Sequence, residues 1–212
     1  MSTLAEYRAD LEAMLSTVDL SGFFTEAIKN EFINRAGRRV YNARKWSWLE
    51  HALKTQSEAN AEYYVSPSRF KKGSIHRITL GEGNEELEYD VVAWNLYKQN
   101  KEQTTGARVA SLLGNQYFMY PAPTADNEVI GLYGQLKWVE LTSDSTESIN
   151  PEAYDEAIIR LALADALKKE RRFSEANSEE DSVVNTIIPE LWSEDQKQDP
   201  KGYIGQARST RW

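Results

Sequence analysis

The sequence predicts an α+β fold with helices at both ends of the chain and a β-rich middle. Apolar residues recur at spacings of three and four over the first 45 residues and again from 151 to 191, as on the buried face of a helix. Between 53 and 142 they form short, often alternating runs separated by Gly, Pro, Asn and Asp, which is typical of strands joined by turns. No repeat of about 20 to 50 residues is visible, so the sequence does not indicate a solenoid or a propeller.

Two amphipathic helices are predicted in the N-terminal part. The first covers residues 4 to 18, and Thr3 and Glu6 are spaced for a capping box at its start. The second covers residues 22 to 45, where apolar residues repeat every four positions. Its polar side is basic near the C-terminal end, either to cap and solubilise the helix or to contact a partner. These basic residues are Arg35, Arg38, Arg39, Arg44 and Lys45.

The β-rich insertion, about 53 to 142, contains two predicted hairpins. Residues 75 to 80 pair with 87 to 91 across Gly81 to Asn84, since glycine and asparagine accept a positive φ. Residues 108 to 113 pair with 116 to 121. Two further elements are a short helical stretch at 91 to 97 and a long strand from 128 to 141.

Two helices are predicted after the insertion. The first covers residues 151 to 168, with Asn150 as its cap and Pro151 at the position that proline favours, and it is apolar nearly all round. The second covers 173 to 191, where Pro189 kinks or ends it. Residues 1 to 195 are therefore expected to form a single domain. The last residues, 196 to 212, lack a helical stripe and are expected to be an extended tail.

Composition excludes several classes of function. The chain has no cysteine and only two histidines, so disulfides, thiolate metal sites and the usual nucleophile triads are not expected. A formal net charge of -8 disfavours recruitment of DNA phosphate and therefore sequence-specific DNA binding. The sequence shows neither a signal peptide nor an apolar run of the roughly 18 residues that cross a bilayer, so no membrane partner is expected.

No motif for catalysis or for a cofactor is present in the sequence. The glycines at 81 and 83 lack the third glycine and the helix of a dinucleotide site, and no Gly-Lys-Ser/Thr phosphate loop occurs. Neighbouring carboxylates, such as Glu85 with Glu88 or Asp155 with Glu156, are in principle suited to glycoside hydrolysis, yet most acidic residues are simply solvated. We therefore expect a protein that is not an enzyme and holds no metal or cofactor.

Four segments resemble, in their order and spacing, the head-to-tail adaptor proteins of tailed bacteriophages. A long helix runs into a Trp-x-Trp-Leu signature at Trp46 to Leu49, and a Pro-x-Pro turn, Pro121-Ala122-Pro123, joins an aromatic strand to a strand ending in tyrosine. The chain is also similar to the tail tubular A proteins of short-tailed phages. The four segments are 44 to 49, 67 to 78, 116 to 134 and 150 to 158.

This resemblance implies a structural protein of the virion neck. It implies a helical bundle made from both ends of the chain, carrying the β-rich insertion and assembling in the host cytoplasm as a twelvefold ring beneath the portal. The implied partners are further copies of the chain, the portal protein and a tail or downstream neck protein. Genomic DNA would pass through the lumen without sequence-specific contacts, which suits an acidic chain.

Two groups of residues are expected to make these contacts. Arg35, Arg38 and Arg39 are expected to face acidic residues of a neighbouring subunit, because they form a local basic face on a net acidic protein. The tail is expected to bind the portal, since aromatic residues and arginine dominate interfaces. The portal-binding residues in the tail are Lys201, Tyr203, Ile204, Arg208, Arg211 and Trp212.

Trp46, Trp48 and Leu49 are expected to pack where the helical and β-rich parts meet, because a helix followed by two large aromatics must bury at least one of them.

Two other functions stay open. The chain could be another neck or tail component, such as a tail tubular or stopper protein. The less favoured alternative is a glycan-binding or glycan-hydrolysing virion protein, which is suggested only by the aromatics and carboxylates.

Overall fold

The computed structural model describes residues 2–83, 86–103 and 106–198, and it confirms the α+β class. Contacts divide the chain into two compact units. The helical unit is formed by the residues before Leu49 and after Lys137, so both ends of the chain contribute to it. The sheet unit is Leu49–Lys137. That residues 1 to 195 behave as a single domain stays a prediction.

The described residues of the helical unit form five α-helices. They are α1 (Leu4–Thr17), α2 (Glu26–Ala43), α4 (Asp155–Lys169), α5 (Phe173–Ser182) and α6 (Ile188–Gln198), while α3 (Trp94–Gln103) belongs to the sheet unit. Helix α4 packs against α1, α2 and α5, and its side chains from Ala157 to Leu167 are buried apart from Arg160. Its apolar surface on nearly all sides is explained by these three neighbours.

The start of α1 was predicted correctly. The Thr3 hydroxyl accepts a hydrogen bond from the Glu6 backbone N–H at 3.2 Å, and the Glu6 carboxylate accepts one from the Thr3 N–H at 2.7 Å. These two bonds form the capping box that satisfies two backbone donors at the helix start. The buried side of α1 consists of Leu4, Tyr7, Leu11 and Leu15.

Two expected helix starts were wrong. Helix α2 begins at Glu26 rather than at 22, because Gly22 has a φ of +70°, outside the helical region. Asn150 does not cap the third helix, which begins at Asp155 after a 3₁₀ turn, Glu152–Tyr154. The side chain of Asn150 bonds to Tyr7 and Asp155 instead.

The fourth helix does not end near 191. Helix α5 continues through a π-helical turn, Val183–Ile187, into α6, which reaches Gln198. Pro189 follows the π-helical turn, where the regular i to i−4 pattern of backbone hydrogen bonds is already interrupted, so the missing N–H of proline does not end the helix there. Residues 196 to 198, which were assigned to the tail, are therefore helical.

The described residues of the sheet unit form seven strands: β1 (Glu50–Gln56), β2 (Tyr63–Val65), β3 (Arg77–Leu80), β4 (Leu87–Val91), β5 (Val109–Leu113), β6 (Gln116–Tyr120) and β7 (Val129–Gln135). They form one sheet with the order β1-β7-β3-β4-β5-β6-β2. All neighbouring pairs are antiparallel except β4 with β5. Both predicted hairpins, β3 with β4 and β5 with β6, are confirmed.

Two features of the sheet unit differ from expectation. The first strand begins at Glu50, and the long strand expected to reach 141 ends at Gln135, with one further bridge between Leu136 and Phe70. Helix α3 is longer than the one or two turns expected at 91 to 97. Its polar residues lie on an exposed side, while Tyr97 is buried and donates a hydrogen bond to the Met119 carbonyl at 3.4 Å.

No helix within the described ranges is both long and apolar enough to cross a membrane.

Candidate functional site

The arginines predicted at a subunit interface lie together on α2. The opposite side of this helix is apolar and buried, so the polar side is left at the surface. Arg35, Arg38 and Arg39, with Asn42 and Ala43, line a shallow depression of about 490 Å³. We call these three arginines the arginine surface. Their side chains remain between 36% and 48% exposed, so they can contact a partner.

The arginine surface is already paired with acidic groups of its own chain. Arg38 contacts Glu140 at 2.5 Å. Arg35 contacts Glu31 at 2.6 Å, and Arg39 contacts Glu180 at 2.7 Å. Exposed pairs of this kind are weak and are screened by salt, so a partner's carboxylate can compete for the same guanidinium groups. The structure brings the three predicted arginines together, and their role at a subunit interface stays a prediction.

Asp165 lies beneath the arginine surface on α4. Its side chain is 7% exposed, and its oxygens lie 3.6 Å from both Arg35 and Arg39, beyond hydrogen-bond distance. Its Oδ2 atom has no hydrogen-bond partner in the part of the chain that the structure describes. Burial raises the pKa of this carboxyl, and the nearby arginines offset only part of that effect. Sequence patterns did not identify Asp165, because its sequence context does not distinguish it from other polar residues on a helix.

The Trp-x-Trp-Leu signature anchors the helical unit through aromatic rings. Trp46 is fully buried, its Nε1 donates to the Val40 carbonyl at 2.8 Å, and its ring lies 5.0 Å from that of Tyr154 and 5.7 Å from that of Trp192. Trp48 is partly buried against Tyr41 and Tyr154. The expectation that at least one tryptophan is buried is confirmed. Leu49, the first residue of the sheet unit, is also buried.

A buried polar network connects α1 to the segment that leads into α4. The Tyr7 hydroxyl donates to the Asp155 carboxylate and lies 3.1 Å from the Ser148 hydroxyl, while Asn150 Nδ2 donates to Asp155 at 2.7 Å. Ser2 donates to the second Asp155 oxygen at 2.5 Å. Burial and the Asp155 carboxylate raise the pKa of Tyr7 well above its ordinary value. The network therefore links α1 to the segment that leads into α4.

The two histidines lie on the sheet unit. His51 is exposed on β1, and His76 Nε2 lies 3.7 Å from a Glu50 oxygen. Within the described ranges, no three residues among His, Cys, Asp and Glu are grouped so that they could hold a metal ion. The six predicted portal-binding residues, from Lys201 to Trp212, lie outside the described residues.

Comparison with curated proteins gives a partial match. The G-patch domain and KOW motifs-containing protein of Xenopus laevis is 28% identical over 134 residues, which are 63% of this chain. The match covers 24% of that protein, so the chain spans about a quarter of the length of this relative. A match of this extent does not establish a shared family.

The comparison with protein families covers far more of the chain. A model of the SU10 adaptor protein family matches residues 2–200, which include both units and all four segments that carry the adaptor resemblance. This family comprises structural phage adaptors and is not a class of enzymes. The chain therefore belongs to the SU10 adaptor protein family, and it is a structural component of the phage virion at the junction of capsid and tail.

Proposed function

We propose that the protein forms a ring, twelvefold as the adaptor resemblance implies, that docks under the portal, connects the capsid to the tail and forms part of the DNA channel. The observation that carries this proposal is the family match over residues 2–200. A ring of identical subunits uses heterologous contacts, in which one surface of each subunit meets a different surface of the next. In such a ring the helices from both ends of the chain would serve as the bundle of the adaptor.

The arginine surface is the part of the helical unit that we propose for contact between neighbouring subunits. Its guanidinium groups are partly exposed around an open depression, and each can exchange an internal carboxylate for one from a neighbour. A ring held in this way should weaken as salt rises, since salt screens exposed ion pairs, with a screening length of about 10 Å at 0.1 M. Rings of unchanged stability in high salt would argue for apolar contacts instead.

We also propose that the C-terminal segment after Gln198 binds the portal. Its sequence has few apolar residues, so it lacks the surface to bury a core alone, yet Tyr203, Ile204 and Trp212 are apolar anchors among basic residues. An extended segment can add backbone hydrogen bonds to a partner strand while its side chains fill pockets. Lys201, Arg208 and Arg211 would then contact acidic groups of the portal.

The test is a phage in which the gene for this chain carries an early stop codon. In this phage we expect DNA-filled heads without tails, and we expect tails to attach when the purified protein is added to those heads. Native mass spectrometry of the protein with and without portal gives the ring stoichiometry. Normal tailed particles made without the protein would overturn the proposal.

A further inference from the structure

One end of the sheet unit carries a group of cations. Just beyond β7, the Lys137 N–H donates to the Arg69 carbonyl at 2.9 Å and the Lys71 N–H donates to the Gln135 carbonyl at 2.8 Å, on either side of the Phe70–Leu136 bridge. Side chains alternate between faces, so Arg69 and Lys137 lie opposite each other on the face away from the buried Phe70 and Leu136.

Like charges placed directly opposite each other are unfavourable, so this arrangement calls for an external counter-charge. Arg69 and Lys137 are exposed, as is Lys72 on the same loop. None of the three makes an ion pair with another residue in the described part of the chain. Glu50, whose register partner is Gln135 at the end of β7, accepts a hydrogen bond from Gln135 at 2.8 Å and lies 3.7 Å from His76. We call Arg69, Lys72 and Lys137 the basic end.

The other end of β7 carries unpaired carboxylates. Asp126 accepts a hydrogen bond from the Ala59 N–H at 2.7 Å, and the Ser57 N–H donates to the Glu128 carbonyl at 2.8 Å, which brings Glu58, Asp126 and Glu128 together. Glu58 and Asp126 are exposed. These three residues, the acidic end, make no ion pair within the residues that the structure describes. The seven residues of β7 separate the two ends by about 20 Å.

Several charges between the two ends are paired inside the unit. Lys54 pairs with Glu82 at 2.7 Å, Arg77 with Glu88 at 3.1 Å and Lys101 with Glu62 at 2.5 Å. The exposed charges that make no ion pair between the ends, within the described residues, are of mixed sign. They are Asp90, Lys98, Glu102 and Arg108. At each of the two ends, by contrast, the exposed charges without an ion pair are of a single sign.

We infer that the basic end of one subunit's sheet unit contacts the acidic end of the next subunit, so that a second copy of the chain is the partner. The inference rests on the proposed ring and names the surfaces that close it. A contact between two different ends is heterologous, and repeating it around an axis produces a ring. Each contact would bring three cations to the two exposed carboxylates, Glu58 and Asp126, with the half-buried Glu128 beside them.

The complementary surface belongs to the same chain, which favours a second copy over DNA phosphate as the partner. The net charge of -8 repels a polyanion from the protein as a whole. Between neighbouring copies, the same acidic residues instead supply the attraction.

Charge reversal in the full-length protein tests the contact. One variant carries Arg69→Glu, Lys72→Glu and Lys137→Glu, and a second carries Glu58→Lys, Asp126→Lys and Glu128→Lys. A third carries all six changes. The control carries Lys45→Glu, Lys98→Glu and Lys169→Glu, which give the same charge change as the first variant at exposed lysines that belong to neither end.

Assembly is measured by native mass spectrometry at low salt with the portal protein present, after circular dichroism has shown that each variant is folded. Each single-end variant should need at least about tenfold more protein to form rings, because like charges then meet at every contact. Mixing the two single-end variants, or using the six-fold variant, should restore assembly. The control should assemble as the wild type does.

Three outcomes overturn the inference. If wild-type rings form and both single-end variants assemble equally well, the contact between the ends is wrong while the proposed ring stands. If the first variant assembles normally but no longer binds a double-stranded DNA oligonucleotide that the wild type binds, the basic end is a DNA contact. If the wild-type chain stays monomeric with portal, the proposed ring itself fails.

Discussion

Trp46 packs in the helical unit against aromatic residues that lie far from it in the sequence. Its ring meets those of Tyr154 and Trp192, which are more than 100 residues further along the chain. Its indole N–H is satisfied by the Val40 carbonyl, so a large aromatic group is buried without an unpaired donor. The side chain therefore ties the end of α2 to the C-terminal helices.

Trp46→Ala should lower the free energy of unfolding by about 3 to 5 kcal/mol, because it removes a fully buried aromatic side chain and leaves a cavity. Urea denaturation followed by circular dichroism measures the change. Phe23→Ala is the matched control, since the Phe23 ring is 61% exposed and its loss should have a small effect. Equal effects of the two changes would contradict the packing described for Trp46.

Glu12 stabilises the connection between α1 and α2 in a pH-dependent way. Its carboxylate contacts Lys29 Nζ at 2.5 Å and accepts hydrogen bonds from Ser21 at 2.7 Å and from the Gly22 N–H at 2.6 Å. The bond to Lys29 and these hydrogen bonds lower the pKa of Glu12 from 4.5 to about 2. A lowered pKa means that the carboxylate stabilises the fold fully above about pH 4.5 and loses this effect as the pH falls toward 2.

Glu12→Gln should therefore reduce stability at pH 7, and the difference from wild type should shrink steadily between pH 4.5 and 2. Denaturant unfolding at a series of pH values measures it. Asp10→Asn on the same helix is the control, because Asp10 accepts no hydrogen bond within the described residues. A difference that does not change with pH would show that the Glu12 interactions do not depend on its charge.

Among the secondary-structure elements, α2 depends on the close approach of the Trp138 ring to its backbone at Gly37. A Cβ atom at this position would lie 2.6 Å from three carbons of the Trp138 ring, which is 6% exposed and whose Nε1 donates to Asn34 at 2.9 Å. Helix propensity favours alanine over glycine by about 1 kcal/mol. The steric conflict with a ring held in this way opposes that preference and is the larger effect.

Gly37→Ala should destabilise the protein by about 1 to 3 kcal/mol despite the better helix propensity of alanine. Combining it with Trp138→Ala removes the conflict, so in that background alanine at 37 should be neutral or stabilising. Thermal and urea unfolding of the four proteins in this cycle give the interaction energy. A stabilising effect of Gly37→Ala in the wild-type background would show that the Trp138 ring moves aside at little cost.

Local patterns predicted the elements whose determinants are local. The capping box of Thr3 and Glu6 spans four residues, and each confirmed hairpin joins neighbouring strands. Asn150 was misassigned because its partner Tyr7 lies 143 positions away. Pairings such as β1 with β7 likewise join distant segments that no periodicity connects.

Local patterns likewise predicted only part of the candidate surface. A polar helix side rich in arginine indicated the arginine surface, but Arg38 pairs with Glu140 and Arg39 with Glu180, which lie 102 and 141 positions away. The charged ends of the sheet unit depend on strand order and register, so they become visible only in the structure. The adaptor family was recognisable because several weak motifs keep their order along most of the chain.

At the scale of the whole molecule, the helical unit and the C-terminal segment have separate tasks in the proposed adaptor. Deleting residues 199 to 212 removes none of the described helices, since α6 ends at Gln198. The truncated protein should therefore keep its helical circular dichroism and its melting temperature but fail to attach to DNA-filled heads. In an attachment assay, tailed particles formed at the wild-type rate would show that docking relies on the helical unit alone.

The proposed ring of this chain lies between portal and tail. Electron cryomicroscopy of intact virions, with the density at the neck fitted by the helical unit and the sheet unit separately, shows whether it is there. We expect a closed ring of this chain directly beneath the portal, with its subunits in contact head to tail. Neck density that neither unit fits, or copies of the chain found elsewhere in the virion, would contradict it.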